Sequence, residues 1–497
     1  MMLQFGLGNL YFDCLLLFLL FFFFSLRNSL KYLQYNLNSL FNPLQWTLCL
    51  FDPSRDLDTR ERKRDPTGQN LAAGKKKKKI IMEAKLNPLF KAAVAEKRVP
   101  AIGACVVNQE GKFIFHKTFG SNNIDEQTAA FQGDTVVAIY SVTKLFTTIA
   151  ALQLIERGQL AIDDLAEKYV PRIANIQVLE VMHVGPDGKQ PVTRPAKTKP
   201  TIRDLLTHTA GFTYDAFDVP TKQWKEVTGR PQGSYYTLGE WADFETPYRA
   251  DPGSSFCYGI NTDWLGFAIE AVSGLALPEY LKKYILEPLG LQHTGPYSPS
   301  YSSSLVPVHM KVNGTLKAVP EVHLNPYPPN WGGGGFLYST MNDLAKLLST
   351  VLNAGTSPST HQQILHPATI QRYLFTDWLA PDLDKTWLGE IRSTSTAMSN
   401  EVSLLPTSQR GWSCGLLLNA DDLPFGRSAN SGMWCGMGNT YYWIDPKAKI
   451  AGLVVTHLFP FLDGSVLKLF DQLERVAYRH ELGEEDDGQA NYAQKRP

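Results

Sequence analysis

Ser141 and Lys144 stand three residues apart in the run Tyr140-Ser141-Val142-Thr143-Lys144. Positions i and i+3 share one face of a helix, so the Lys144 amine can reach the Ser141 hydroxyl. A serine hydroxyl is a weak nucleophile until a neighbouring base removes its proton. Lysine serves as that base when burial or a nearby charge lowers its pKa. A helix N-terminus adds backbone N–H groups and a positive dipole for a developing oxyanion. S-x-x-K alone is common on solvated helix surfaces. Here an apolar, strand-like run precedes Ser141 and an apolar helix follows it, which leaves Lys144 poorly solvated. The pair is a candidate acyl-transfer centre.

The elements that must hold this pair follow from periodicity. Residues 141–157 carry Leu145, Ile149, Leu152, Leu154 and Ile155 at helical spacing, and Gly158 ends the helix. Residues 101–108 and 112–120 read as two strands joined by a turn containing Gly111, and 135–140 as an apolar strand-like run. Further strands are expected at 411–419, 441–444 and 452–457, and a closing helix at 464–481. Between about 162 and 350, loops rich in Pro and Gly separate helical pieces such as 263–273. Strands near both ends around a helical middle predict an α/β (α+β) fold. One lobe is built from both termini, with a mainly helical lobe inserted at about 162–350.

The flanks differ from this core. Residues 14–25 form an apolar run shorter than the roughly 20 residues a membrane span needs. It has the length of a signal-peptide core, but Asp13 stands where a basic flank belongs. An Arg- and Asp-rich stretch and the run of lysines at 75–79 follow, a composition that buries no core. Residues 1–81 therefore read as a disordered or spurious extension, or as an anchor, with an amphipathic helix opening at Met82. The catalytic domain is expected at 82–485 and a polar tail at 486–497.

The 497 residues carry 48 basic and 48 acidic side chains, so no basic field favours nucleic acid. Six scattered cysteines form no C-x-x-C pair and no metal-ligand cluster. They read as reduced thiols in a cytoplasmic protein, the alternative being a membrane-anchored or secreted one if the apolar run is used. No metal or organic cofactor is expected.

Several segments together resemble a family. Residues 140–144 and ERGQLAIDDLAEKYVP (156–171), TIRDLLTHTAGF (201–212), PGSSFCYGINTDWLG (252–266), NWGGGGFLYSTMND (330–343) and Trp434-Cys435-Gly436 occur in its order. They are similar to the class C β-lactamase and penicillin-binding-protein superfamily over residues 85–480. The resemblance implies an antiparallel sheet flanked by helices and a catalytic Tyr258 that shares protons with Lys144. It also implies an oxyanion hole from the amides of Ser141 and Met437. His208 is expected to be a structural hydrogen-bonding residue. Gly332–Gly335 reads as a tight turn before a helix capped by Thr340, with Asp343 at its third position. Cys257 and Cys435 flank the site without a histidine to activate a thiol. Trp412 and Trp434 are either core or pocket wall.

The chain also departs from the β-lactamase pattern. Ile260 stands where the family asparagine holds a substrate amide, and Asn261 is displaced by one. Trp434 replaces the cation that recognises a β-lactam or peptide carboxylate. Both point to neutral esters or thioesters and resemble the esterase branch. The stretch 256–281 resembles fungal polyketide transesterases of the lovastatin-pathway acyltransferase type. Phe461 departs from that likeness, which would place a tryptophan there. Tyr214, Asn261, Trp434, Cys435 and Gly436 are the expected substrate contacts. The implied activity is transfer of an acyl group from a small-molecule ester or thioester donor to an alcohol acceptor, the donor free or on an acyl-carrier protein. The alternatives are a carboxylesterase, a β-lactamase or peptidase, and an inactive binding relative.

Overall fold

Seven strands pair into one antiparallel sheet that joins the two ends of the domain. They are β1 (Ala101–Asn108), β2 (Phe113–Gly120), β3 (Arg410–Trp412), β4 (Leu417–Asn419), β5 (Ser431–Gly436), β6 (Thr440–Asp445) and β7 (Ile450–Val455), in the spatial order β3-β4-β5-β6-β7-β1-β2. The junction is β7 against β1, in the register Gly103↔Val455 to Asn108↔Ile450. The computed structural model describes residues 66–478, apart from 127–128, 186–187, 302–304, 320–323, 406–409 and 425, together with 492–494. The apolar run at 14–25 and the Arg- and Asp-rich stretch lie outside the described residues.

Ala101–Val107 of β1 and all of β5, β6 and β7 are buried, because helices cover the sheet. The helices are α1 (Pro66–Ala95), α2 (Thr143–Glu156), α3 (Asn261–Ser273), α4 (Met341–Leu352) and α5 (Gly464–Ala477). α1 packs on β2 and α5, while α4 lies over β1 and β7. Gly103 leaves room for Met341, whose Sδ would stand 2.9 Å from an added Cβ. α2 is buried from Thr143 to Leu154 on every side, as an all-round apolar helix must be, and packs against α3. The helix that follows Ser141 is thus a central strut of the domain.

Several elements depart from expectation, each for a local reason. α1 begins at Pro66 instead of Met82, since an Ala- and Lys-rich run has high helix propensity. Its packed face nevertheless starts at Met82 and continues through Leu86, Phe90 and Ala93. The strand expected at 411–419 is two strands, reversed where Leu416 N–H donates to Ser413 Oγ. The middle segment is not uniformly helical: Val178–Gly185 pairs with Gly188–Arg194 and Val308–Val312 with Thr315–Val319. The last element of that segment, α4, packs on the sheet. Within the expected polar tail, Tyr492–Gln494 pairs with Val402–Leu404, as backbone pairing requires no apolar side chains.

Candidate active site

Ser141 sits in a single 3₁₀ turn, Tyr140–Val142, that leads into α2. Tyr140 holds φ at 43°, a left-handed conformation costing a bulky residue about 1–3 kcal/mol. Its ring is buried against Phe459, and its hydroxyl lies 3.5 Å from His457 Nε2. The end of β5 presses on the same turn. A Cβ at Gly436 would stand 2.3 Å from the Ile139 carbonyl oxygen, so only glycine lets the strand approach. That contact gives the third position of the W-x-G triplet its physical reason.

One turn along α2, Lys144 is 2% exposed. Its Nζ donates to Ser141 Oγ at 3.2 Å, to Tyr214 Oη at 2.9 Å and to the Gly334 carbonyl at 2.9 Å. Burial pulls the amine from 10.5 down to about 8, against the upward pull of Asp263. About a tenth of it is then neutral at pH 7.

The three partners fix where the lone pair of that neutral amine points. The Gly334 carbonyl can only accept. Tyr214 Oη donates its own proton to Asp263 Oδ2 at 3.2 Å and accepts from Tyr236 Oη at 3.2 Å, so towards Lys144 it also accepts. Two amine hydrogens are therefore held by Gly334 and Tyr214, and the third direction, the lone pair when neutral, faces Ser141. Asp263, in the first turn of α3, also accepts from the Gly334 amide at 3.0 Å. Burial lifts its carboxyl from 3.8 to about 6, opposed by Lys144 and by these hydrogen bonds.

Tyr258 places its ring centre 5.2 Å from Lys144 Nζ. Burial raises its phenol above the ordinary value, and the Ser141 hydroxyl and Trp434 pull it back. Trp434 Nε1 donates to Tyr258 Oη at 3.1 Å, so the phenol keeps its own proton free to donate. A narrow cavity of about 20 Å³ separates these groups, walled by Ser141, Tyr236, Tyr258, Trp434 and Met437 among others. Among the described residues no cluster of His, Cys, Asp or Glu is placed to hold a metal ion.

Residues 86–473 match the family described as Beta-lactamase. The chain belongs to the beta-lactamase family. A lovastatin esterase from Penicillium rubens is 26% identical over 407 residues, covering 80% of this chain and 97% of that protein. A monacolin J acid methylbutanoyltransferase from Aspergillus terreus is 27% identical, covering 80% and 95%. Among solved structures, unliganded simvastatin synthase (LovD) from Aspergillus terreus, as its selenomethionyl derivative, superimposes with a TM-score of 0.67 at 25% identity. It covers 81% of this chain and 98% of that one. The protein is a β-lactamase-like enzyme of the serine hydrolase and acyltransferase class. No helix among the described residues is long and apolar enough to cross a membrane.

Within this beta-lactamase-family site the expected substrate contacts divide. Tyr214, Trp434, Cys435 and Met437 line the cavity beside Ser141 and Tyr258. Asn261 does not. It is fully buried, and its Nδ2 donates to the Cys257 carbonyl at 2.9 Å and the Phe212 carbonyl at 3.2 Å, with His208 Nδ1 also 2.9 Å away. Displacement by one residue carries it into the first turn of α3, where it ties Tyr258's segment to 208–212. Gly436 acts through its missing Cβ, as described above. His208 caps the helix Ile202–Thr207 with φ 57°, and burial, then Lys144, holds its pKa well below 6.5. Thr340 caps α4 by accepting from the Asp343 amide, but the Asp343 carboxylate turns to His293, Thr294 and Lys346. Asp263, Tyr236 and Gly334 escaped the sequence reading. The available signal was a lone carboxylate, Asp263, directly ahead of the apolar stretch 264–269.

Proposed function

We propose that this protein transfers an acyl group from an ester or thioester to an alcohol through an acyl-enzyme on Ser141, in fungal secondary metabolism. The observation that carries this reading is the three-way tethering of Lys144 Nζ, which aims its free position at Ser141. Neutral Lys144 takes the Ser141 proton as Oγ attacks the carbonyl carbon. The amides of Ser141 and Met437 stabilise the resulting oxyanion. Collapse breaks the bond to the leaving group, which takes a proton from Tyr258, itself reprotonated through Ser141's former proton on Lys144. The alcohol then runs the sequence in reverse and restores the Ser141 hydroxyl.

A carboxylesterase is the second reading, favoured by the esterase among the relatives, and differs only in water replacing the alcohol. Four buried free thiols, Cys105, Cys257, Cys414 and Cys435, support a cytoplasmic setting. The test is intact-protein mass after mixing with short acyl thioesters, free and on a carrier protein, beside Ser141→Ala. An adduct in wild type and none in the variant is expected. Persistence in water with loss to alcohol marks the transferase, and rapid loss to water the esterase. No adduct with any donor overturns both.

A further inference from the structure

A buried ion pair stands behind the wall of the cavity over Ser141. Lys225, in the helix Val219–Val227, is 0% exposed and Asp215 is 1% exposed, with Lys225 Nζ 3.5 Å from Asp215 Oδ2. Neither residue reaches the cavity itself. Burial lowers the Lys225 amine below its ordinary value, against the upward pull of Asp215 and Asp243. Taking two charges out of water often costs as much as their attraction returns, so apolar residues of equal volume would hold a core as well. The pair therefore has a use other than stability, and its partners show what that is.

The side-chain hydrogen bonds of the pair converge on one turn. Asp215 accepts from the Gly233 amide at 2.9 Å and from Tyr235 Oη, and Lys225 Nζ donates to Ser234 Oγ at 2.9 Å. Three consecutive residues, 233–235, are thus tied to it. The helix they open, Ser234–Thr237, has four residues, too few to hold its shape unaided. Next in the turn is Tyr236, whose Oη donates to Tyr214 Oη at 3.2 Å. Its ring lies against Gly335, where an added Cβ would stand 2.5 Å from Tyr236 Cε1. Tyr214 is the peptide neighbour of Asp215, so the contacts close a ring through Asp215, the turn 233–235, Tyr236 and back to Tyr214.

We propose that Lys225 and Asp215 are positioning residues for the chemistry at Ser141, because they fix the turn whose Tyr236 keeps Tyr214 an acceptor for Lys144. The proposal rests on the reading of Ser141 as a nucleophile activated by Lys144, and extends that machinery to two residues behind the cavity wall. The hydrogen bond from Tyr236 occupies one lone pair of Tyr214 Oη and leaves the Tyr214 proton to Asp263. A Tyr214 hydroxyl released from Tyr236 loses that constraint. It is then free to turn its proton onto the lone pair of neutral Lys144, and an amine engaged in that way cannot serve Ser141.

The experiment follows labelling of Ser141 by an alkyl fluorophosphonate, in which Oγ bonds to phosphorus, the hydroxyl proton passes to Lys144 and fluoride leaves. The full chain is compared with the paired variant Asp215→Leu/Lys225→Met and with Ser234→Ala, which keeps both charges and cuts only one tie to the turn. Each is made again in a Tyr236→Phe background, with Tm confirming the fold. The maximal labelling rate should fall about ten- to a hundredfold in the paired variant and less in Ser234→Ala, while half-saturation by the probe holds within about twofold. In the Tyr236→Phe background either change should cost less than about twofold more, since residues that act as one unit do not add. An unchanged labelling rate, or losses that multiply in the Tyr236→Phe background, overturns the proposal. Should the paired variant not fold, Ser234→Ala is judged by the same two criteria. Labelling that follows the expected pattern, with no acyl adduct from any ester or thioester, upholds the positioning role and sinks the acyl-transfer reading alone. The acyl adduct without the pattern does the opposite.

Discussion

Lys144 Nζ and Tyr214 Oη stand 2.9 Å apart, whereas Lys144 meets Tyr258 only across its ring, 5.2 Å from the centroid. The two tyrosines therefore do different work. Tyr214 hands its proton to Asp263 and so can only accept from the amine. Tyr258 accepts from Trp434 and keeps a proton to give. In the proposed mechanism one orients the base and the other supplies an acid.

Tyr214→Phe removes the acceptor that holds one amine hydrogen, and the lone pair loses its aim at Ser141. kcat for acyl-enzyme formation should fall about ten- to a hundredfold, the cost of a small misplacement at a reacting centre. Stopped-flow acylation with an activated ester reads this directly. An unchanged acylation rate would show that Gly334 alone positions Lys144.

The acid limb of kcat/KM should be a single ionisation with its midpoint at about 8, activity rising with pH as Lys144 loses its proton. Asp263 pulls that midpoint upward, so Asp263→Asn should move the limb to lower pH. Stability gives an independent check. Between 3.8 and about 6 the folded Asp263 binds more proton than the unfolded one, so its contribution to stability falls as pH rises. Above about 8 and up to 10.5 the unfolded Lys144 binds more proton, and its contribution rises with pH. Denaturation midpoints across these windows should lose the acid-side slope in Asp263→Asn and keep the alkaline one.

Which parts of this site were legible depends on how local they are. Ser141 and Lys144 are three residues apart on one helix, so sequence spacing alone brings them together. Tyr258, Tyr214 and the Trp434 triplet entered through a pattern that spans the chain. Gly334 lies 190 residues from Lys144, and a backbone carbonyl leaves no signature in side-chain chemistry. Asp263 is a single carboxylate whose partners, Tyr214 and Gly334, meet it only after α3 packs. Asn261 carried the right chemistry at the wrong rotation. One residue of displacement on a helix turns a side chain by about 100°, from the cavity to the backbone of 208–212. The sheet was legible where an apolar run is long, as at β1. The two inserted hairpins were not, because a Pro- and Gly-rich middle masks their alternation.

Gly436→Ala should damage fold and activity together. The new Cβ would meet the Ile139 carbonyl at 2.3 Å and Val142 Cγ2 at 3.3 Å, forcing either β5 or the nucleophile turn to move. Overpacking of this kind costs about 1–3 kcal/mol. A lowered Tm with acylation reduced at least tenfold is expected, and an unaltered acylation rate would detach Gly436 from the placement of Ser141.

Asn261→Ala separates a structural role from substrate contact. Two buried carbonyls, of Cys257 and Phe212, lose their donor, which costs about 1–3 kcal/mol for each group left bare. Chemical denaturation should show a clear loss of stability. KM for the acyl donor should hold within about twofold at temperatures where the variant is folded. A large rise in KM with stability intact would restore Asn261 to the cavity.

Trp434→Phe and Tyr258→Phe should differ in kind. Tyr258→Phe deletes the proton donor itself, so turnover should drop by about 10²–10⁴. Trp434→Phe keeps the ring against Tyr258, 4.8 Å between centroids, but removes the indole N–H. That hydrogen bond lowers the phenol's pKa against the rise due to burial, so its loss makes Tyr258 a weaker acid. Acylation by a thioester, whose leaving group needs little protonation, should then suffer less than acylation by an alkyl ester, whose alkoxide needs more. Measuring both donors on both variants tests the assignment. If Trp434→Phe slows the two equally, the tryptophan acts by shape and not through the Tyr258 proton.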